Sequence, residues 1–108
     1  MRILFDQATP VPIRPFLEGH IVSTAAGEGW DQLQNGELLD AAEAAGFQVL
    51  LTTDKNLRYQ QNLTGRKIAV VVLGQGRWRL IEPHVERVVA TVDAAEPGNL
   101  YEVEIPSR

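Results

Sequence analysis

Two short apolar runs in this chain each end in a carboxylate: Arg2-Ile3-Leu4-Phe5-Asp6 and Val49-Leu50-Leu51-Thr52-Thr53-Asp54. Runs apolar on both faces suit strands of a parallel sheet covered by helices above and below. Ligands of such sheets bind just beyond the carboxyl ends of the strands. Acids gathered there repel one another unless a cation neutralises them. A hard divalent ion, Mg²⁺ or Mn²⁺, prefers oxygen ligands and keeps several waters. It polarises a phosphoryl oxygen and activates water for in-line attack on a phosphodiester. Glu37, in the first turn of the helix leading into the second run, is placed to reach the same crevice. The expected metal ligands and catalytic acids are therefore Asp6, Asp54 and Glu37, with room for one ion more readily than two.

Each acid also has a plainer role open to it. Asp6 suits an Asx-turn, Asp54 the N-cap of a short helix after it, and Glu37 the positive end of a helix dipole. His20 and His84 show no acid or nucleophile partner in the sequence and read as surface or packing residues.

The elements that must position these acids follow from pattern. After the first strand, Thr9 is placed to cap a short proline-rich helix closed by Gly19, and 20–24 reads as a second strand. Residues 25–34 form a loop, with Trp30 pinning it to the core. Asn35 caps a helix whose stripe is Leu38, Leu39, Ala42 and Ala45, stopped by Gly46. Strands follow at 47–53 and 67–73, separated by a short helix and turn over 54–64. A last helix begins near Pro83 with Ile81, Val85, Val88, Val89 and Val92 on one face. In the final strand, 100–105, Tyr101, Val103 and Ile105 alternate with Glu102 and Glu104, the pattern of a half-exposed edge. The expectation is one three-layer α/β/α domain with a mainly parallel five-stranded sheet in the order 2-1-3-4-5, since short right-handed crossovers allow few alternatives. That order sets Asp6 beside Asp54.

At 108 residues the chain suits one domain with a sizeable core, and 44% hydrophobic residues suit a globule. It has no cysteine, which excludes disulfides, thiolate metal sites and a thiol nucleophile. No segment is apolar for the length of a membrane span, and Arg2 and Asp6 do not suit a secretory leader, so a cytoplasmic location is expected.

The net charge of -4 conceals an asymmetry: residues 55–79 hold Lys55, Arg58, Arg66, Lys67, Arg77 and Arg79, and all 14 acids lie elsewhere. Either these are ordinary solvated charges or they attract phosphate locally. In the second case Lys55, Arg58, Arg77 and Arg79 contact a nucleic-acid backbone, with Tyr59 and Trp78 available for stacking.

Leu4-Phe5-Asp6 followed by Pro10, then Asn35-Gly36-Glu37-Leu38 with Ala42, then Thr52-Thr53-Asp54-Lys55-Asn56-Leu57 resemble, in order and spacing, the signatures of the small PIN-like family of DUF5615 type. The resemblance runs from residue 1 to about residue 73. It implies a PIN-like fold and a Mg²⁺- or Mn²⁺-dependent ribonuclease, in some cases the toxin of a toxin–antitoxin pair, so that RNA, an antitoxin protein or a second copy are the implied partners. The chain departs from the family where it has Asn35 and Asn56 in place of aspartates, and Leu57 in place of phenylalanine. Asn35 and Asn56 then stand behind the acids or serve as weak neutral ligands, Thr53 stands behind the acids, and the site is either a slow single-metal one or has kept only binding.

A non-catalytic interaction module of the same fold is the main alternative. A phospho-accepting receiver domain ranks below it: Gln7 stands where a second acid is needed, Gly74-Gln75-Gly76 follows the fourth strand without Ser or Thr, and no lysine follows the fifth.

Overall fold

The computed structural model describes residues 1–57 and 62–106; the side chain of Asn35 lies outside that description. Five strands, β1 (Arg2–Phe5), β2 (Ile21–Thr24), β3 (Val49–Thr52), β4 (Ala69–Leu73) and β5 (Leu100–Val103), form one sheet in the order 2-1-3-4-5, every neighbouring pair parallel. The expected fold class is found.

Strand alternation divides the core between the two faces. Ile3, Phe5, Val49, Leu51, Val71 and Leu73 face Ile13, Leu17, Ile81, Val88 and Val92. Leu4, Leu50, Val70 and Val72 face Leu38, Leu39, Ala42 and Leu57. Because successive side chains point to opposite faces, strands buried on both sides are apolar at nearly every position, and a buried polar one such as Thr52 needs hydrogen-bond partners. β3 and β4 are buried throughout.

Helix α1 (Asn35–Ala44) covers the second face; α2 (Trp78–Ile81), a 3₁₀ turn (Glu82–His84) and α3 (Val85–Ala94) cover the first. α1 ends as expected at Gly46: Phe47 N–H reaches the Ala42 carbonyl and Gly46 N–H that of Glu43, a Schellman closure. Its N-cap is Gln34, one residue before the expected Asn35, and carries no side-chain cap bond.

Two boundaries differ more. The last helical segment starts at Trp78, ahead of Pro83. The Gln75 side-chain oxygen accepts from the N–H groups of Gly76 and Arg77 and starts the turn. Pro83, with no N–H to donate, sits in the 3₁₀ turn between α2 and α3. The proline-rich segment Val11–Phe16 is a 3₁₀ helix capped by Pro10, not by Thr9. The Thr9 hydroxyl has turned inward instead.

Candidate functional site

β1 and β3 are neighbours in register, Phe5 opposite Leu51, so the chain leaves both strands at one edge and sets Asp6 near Asp54. Both line a cleft of about 310 Å³ whose wall also includes Gln7, Ala8, Trp30, Asp31, Gln34, Leu38, Leu50, Thr52 and Leu57. It lies where the strand order reverses, between the crossovers to β2 and β3, the place at which open parallel sheets bind ligands.

The Asp6 carboxylate is held from two sides. Thr9 Oγ1 lies 2.6 Å from its Oδ1, and the Thr52 hydroxyl donates a short hydrogen bond to its Oδ2. Thr52 Oγ1 also accepts from the Asp54 N–H at 3.0 Å. A continuous path thus runs from the Asp54 backbone through one hydroxyl to Asp6. Asp54 turns its own Oδ1 to the Asn56 N–H, 3.0 Å away, and its carbonyl to the Leu57 N–H, the pattern of a residue capping the turn that follows.

Glu37 is exposed in the first turn of α1 and outside the cleft lining. One residue is about 100° of rotation on a helix, so the turn that presents Leu38 to the cleft carries Glu37 to another side. Thr53 points away from Thr52 by strand alternation and faces the loop after β4: a Cβ on Gly76 would stand 3.7 Å from Thr53 Cγ2 and 3.8 Å from the Ala8 carbonyl. Thr52 is therefore the threonine at the acids. Its signal was phase: Thr52 follows Leu50 by two residues and shares its face.

Asp31 is a third carboxylate in the lining, contributed by the loop before α1, and its carbonyl accepts from Gln7 Nε2 at 2.7 Å. No periodicity marks a loop residue, so nothing in the sequence pointed to it. Trp30 does pin that loop, edge-on to Phe47 with centroids 5.9 Å apart, while also walling the cleft.

Of the basic window, Lys55, Arg77 and Arg79 follow β3 and β4 and are exposed at the carboxyl edge of the sheet. Lys55 borders a smaller hollow of about 180 Å³ with Val72, Gly74 and Glu104. Arg58 lies outside the described residues. Arg66 and Lys67 precede β4 and so belong to the opposite edge. There Arg66 bridges Asp40 and Glu43, both at 2.9 Å, and the Lys67 N–H donates to Glu43 at 2.8 Å. The window is thus divided between the two ends of the sheet.

His20 departs from its expected isolation. Its Nε2–H donates to Asp93 Oδ1 at 2.6 Å, and its Nδ1 accepts from the Met1 amino group at 3.1 Å, tying the start of β2 to α3. His84 is half-buried at the N-cap of α3.

Among the described residues, no group of three or more His, Cys, Asp and Glu is gathered closely enough to hold a metal by itself. The Asp6 and Asp54 donor set suits one hard cation more readily than two, since one or two carboxylates hold such an ion with waters completing the shell. No helix among the described residues is long and apolar enough to cross a membrane. No protein-family model, curated protein or solved structure matches the chain.

Proposed function

We propose that this chain is a PIN-like, single-metal ribonuclease domain. The observation that carries the reading is the pairing of Asp6 and Asp54 at adjacent strand tips in one cleft, linked through the Thr52 hydroxyl. Asp6 and Asp54 would hold one Mg²⁺ or Mn²⁺. When bound, the ion supplies Lewis-acid polarisation of a phosphoryl oxygen and lowers the pKa of water. Thr52 orients Asp6, and the Asn56 N–H fixes the Asp54 carboxylate through its Oδ1. Lys55, Arg77 and Arg79 contact the phosphates of the approaching strand from the same edge of the sheet. An antitoxin or a second copy would approach this same edge in the toxin version of the reading.

The test is cleavage of an RNA pool by wild type, Asp6→Asn and Asp54→Asn, with Mn²⁺ and with chelator. Cleavage that needs the metal and is lost in both variants supports the reading. Cleavage that survives chelation and both substitutions overturns it.

A second reading, a PIN-like module that binds without cutting, is favoured by one observation. Both Asp6 oxygens already have hydroxyl partners, and among the described residues no three acids or histidines are gathered closely enough to hold a metal. On that reading Asp54→Asn is silent or stabilising, because carboxylate repulsion is relieved.

A further inference from the structure

Thr9 is the residue whose observed role departs furthest from its expected one. It stands ahead of a proline-rich segment where a cap was needed, yet no side chain caps that segment. Thr9 is instead buried, at 4% exposure. Its N–H donates to the Asp6 carbonyl at 3.2 Å, which closes the turn after β1. Its Oγ1 lies 2.6 Å from Asp6 Oδ1 and 2.8 Å from the Leu51 carbonyl.

That second contact decides the role. The one Thr9 hydroxyl proton lies between two acceptors, the Asp6 carboxylate and the Leu51 carbonyl, which share it in a three-centre bond. Leu51 belongs to β3, the strand whose tip carries Asp54 three residues on. The Thr9 oxygen is therefore located against β3 rather than within its own loop. We infer that Thr9 is a positioning residue for the cation site, setting the plane of the Asp6 carboxylate relative to Asp54; the inference rests on the single-metal reading above. Thr52 holds the other Asp6 oxygen from the same strand. With both oxygens referenced to β3, the two carboxylates are presented at one spacing before any ion arrives. Partners that orient metal ligands in this way affect affinity without touching the metal.

The experiment is Mn²⁺ binding to the full chain, followed by the electron paramagnetic resonance signal of free Mn²⁺, for wild type, Thr9→Val and Thr9→Ser. Thr9→Val keeps the shape and removes the hydroxyl, and should weaken binding about tenfold or more, while Thr9→Ser stays within about threefold of wild type. Thr9→Ala serves in its place should the valine variant not fold. The metal-free melting temperature is taken alongside. A merely structural threonine would lower that temperature and leave the Mn²⁺ affinity of the folded protein unchanged, which overturns the inference. Wild type that binds Mn²⁺ with Thr9→Val equal to it removes Thr9 from the site and leaves the metal reading standing. Wild type that binds no Mn²⁺ removes both.

Discussion

Thr52 is 2% exposed, donates to a carboxylate and accepts from the Asp54 N–H, so removing its hydroxyl leaves two half-buried partners short. Thr52→Val should cost about 2 kcal/mol, the range for losing a hydrogen bond to a charged group. Urea unfolding checks this, and a midpoint equal to wild type would show that water replaces the hydroxyl freely. At Glu43 the Lys67 N–H, with Arg66 beside it, holds the carboxyl below its ordinary value near 4.5. A depressed folded-state pKa contributes stability that is present above the unfolded value and lost as pH falls through the folded one. Glu43→Gln should therefore flatten the fall in stability below about pH 4.5, measured as melting temperature against pH. An unchanged profile would assign the acid sensitivity to other carboxylates. Asp6 and Asp54 were legible in the sequence because a strand that ends in an acid must present it at an edge. Thr9 and Asp31 were not, since a loop has no period and a threonine before prolines is written the same whether it caps or turns inward.

The strands were recognisable from their unbroken apolar runs, and their order from the short crossovers. Several of their ends were overestimated by one or two residues because flanking side chains such as Phe47 and Ile105 are buried outside the hydrogen-bonded ladder. The start of the last helical segment was hidden by Pro83. The proline is the conspicuous residue, whereas the turn that leads into Trp78 is held by Gln75, whose side-chain oxygen accepts from the Gly76 and Arg77 N–H groups. At the end of α1 the chain turns through Gly46 at φ +87°, and an added Cβ would stand 3.1 Å from an Arg2 guanidinium nitrogen. That nitrogen caps the helix at the Ala45 carbonyl, and the Arg2 guanidinium lies over the Phe47 ring, 4.3 Å from its centroid. Gly46→Ala should destabilise the fold by about 1–2 kcal/mol through the left-handed conformation alone. A calorimetric midpoint at the wild-type value would mean that the closure of α1 tolerates a different turn.

The parallel sheet brings three sites of differing sequence position to one edge: the turn after β1, the turn after β3 and the loop after β4. Acids and basic residues thus share an edge although they are segregated along the chain, while at the other end the Arg66 guanidinium pairs with Asp40 and Glu43 of α1 and the Lys67 backbone N–H donates to Glu43. RNA affinity should therefore lose salt dependence on Arg77→Ala, by a slope of about 0.7 for one phosphate contact on a single strand, and keep it on Arg66→Ala. Equal slopes in wild type and Arg77→Ala would remove that contact.

The claim on which the rest depends is that Asp6 and Asp54 jointly hold a divalent ion. Its most direct test is the melting temperature of the purified protein during Mn²⁺ and Mg²⁺ titration, with Asp54→Asn as control. Binding to the folded state alone stabilises by about 2.7 kcal/mol at a hundred times Kd, so the melting temperature should rise with metal in wild type and stay level in the variant. No rise in wild type, together with an Asp54→Asn protein at least as stable without metal, would contradict it.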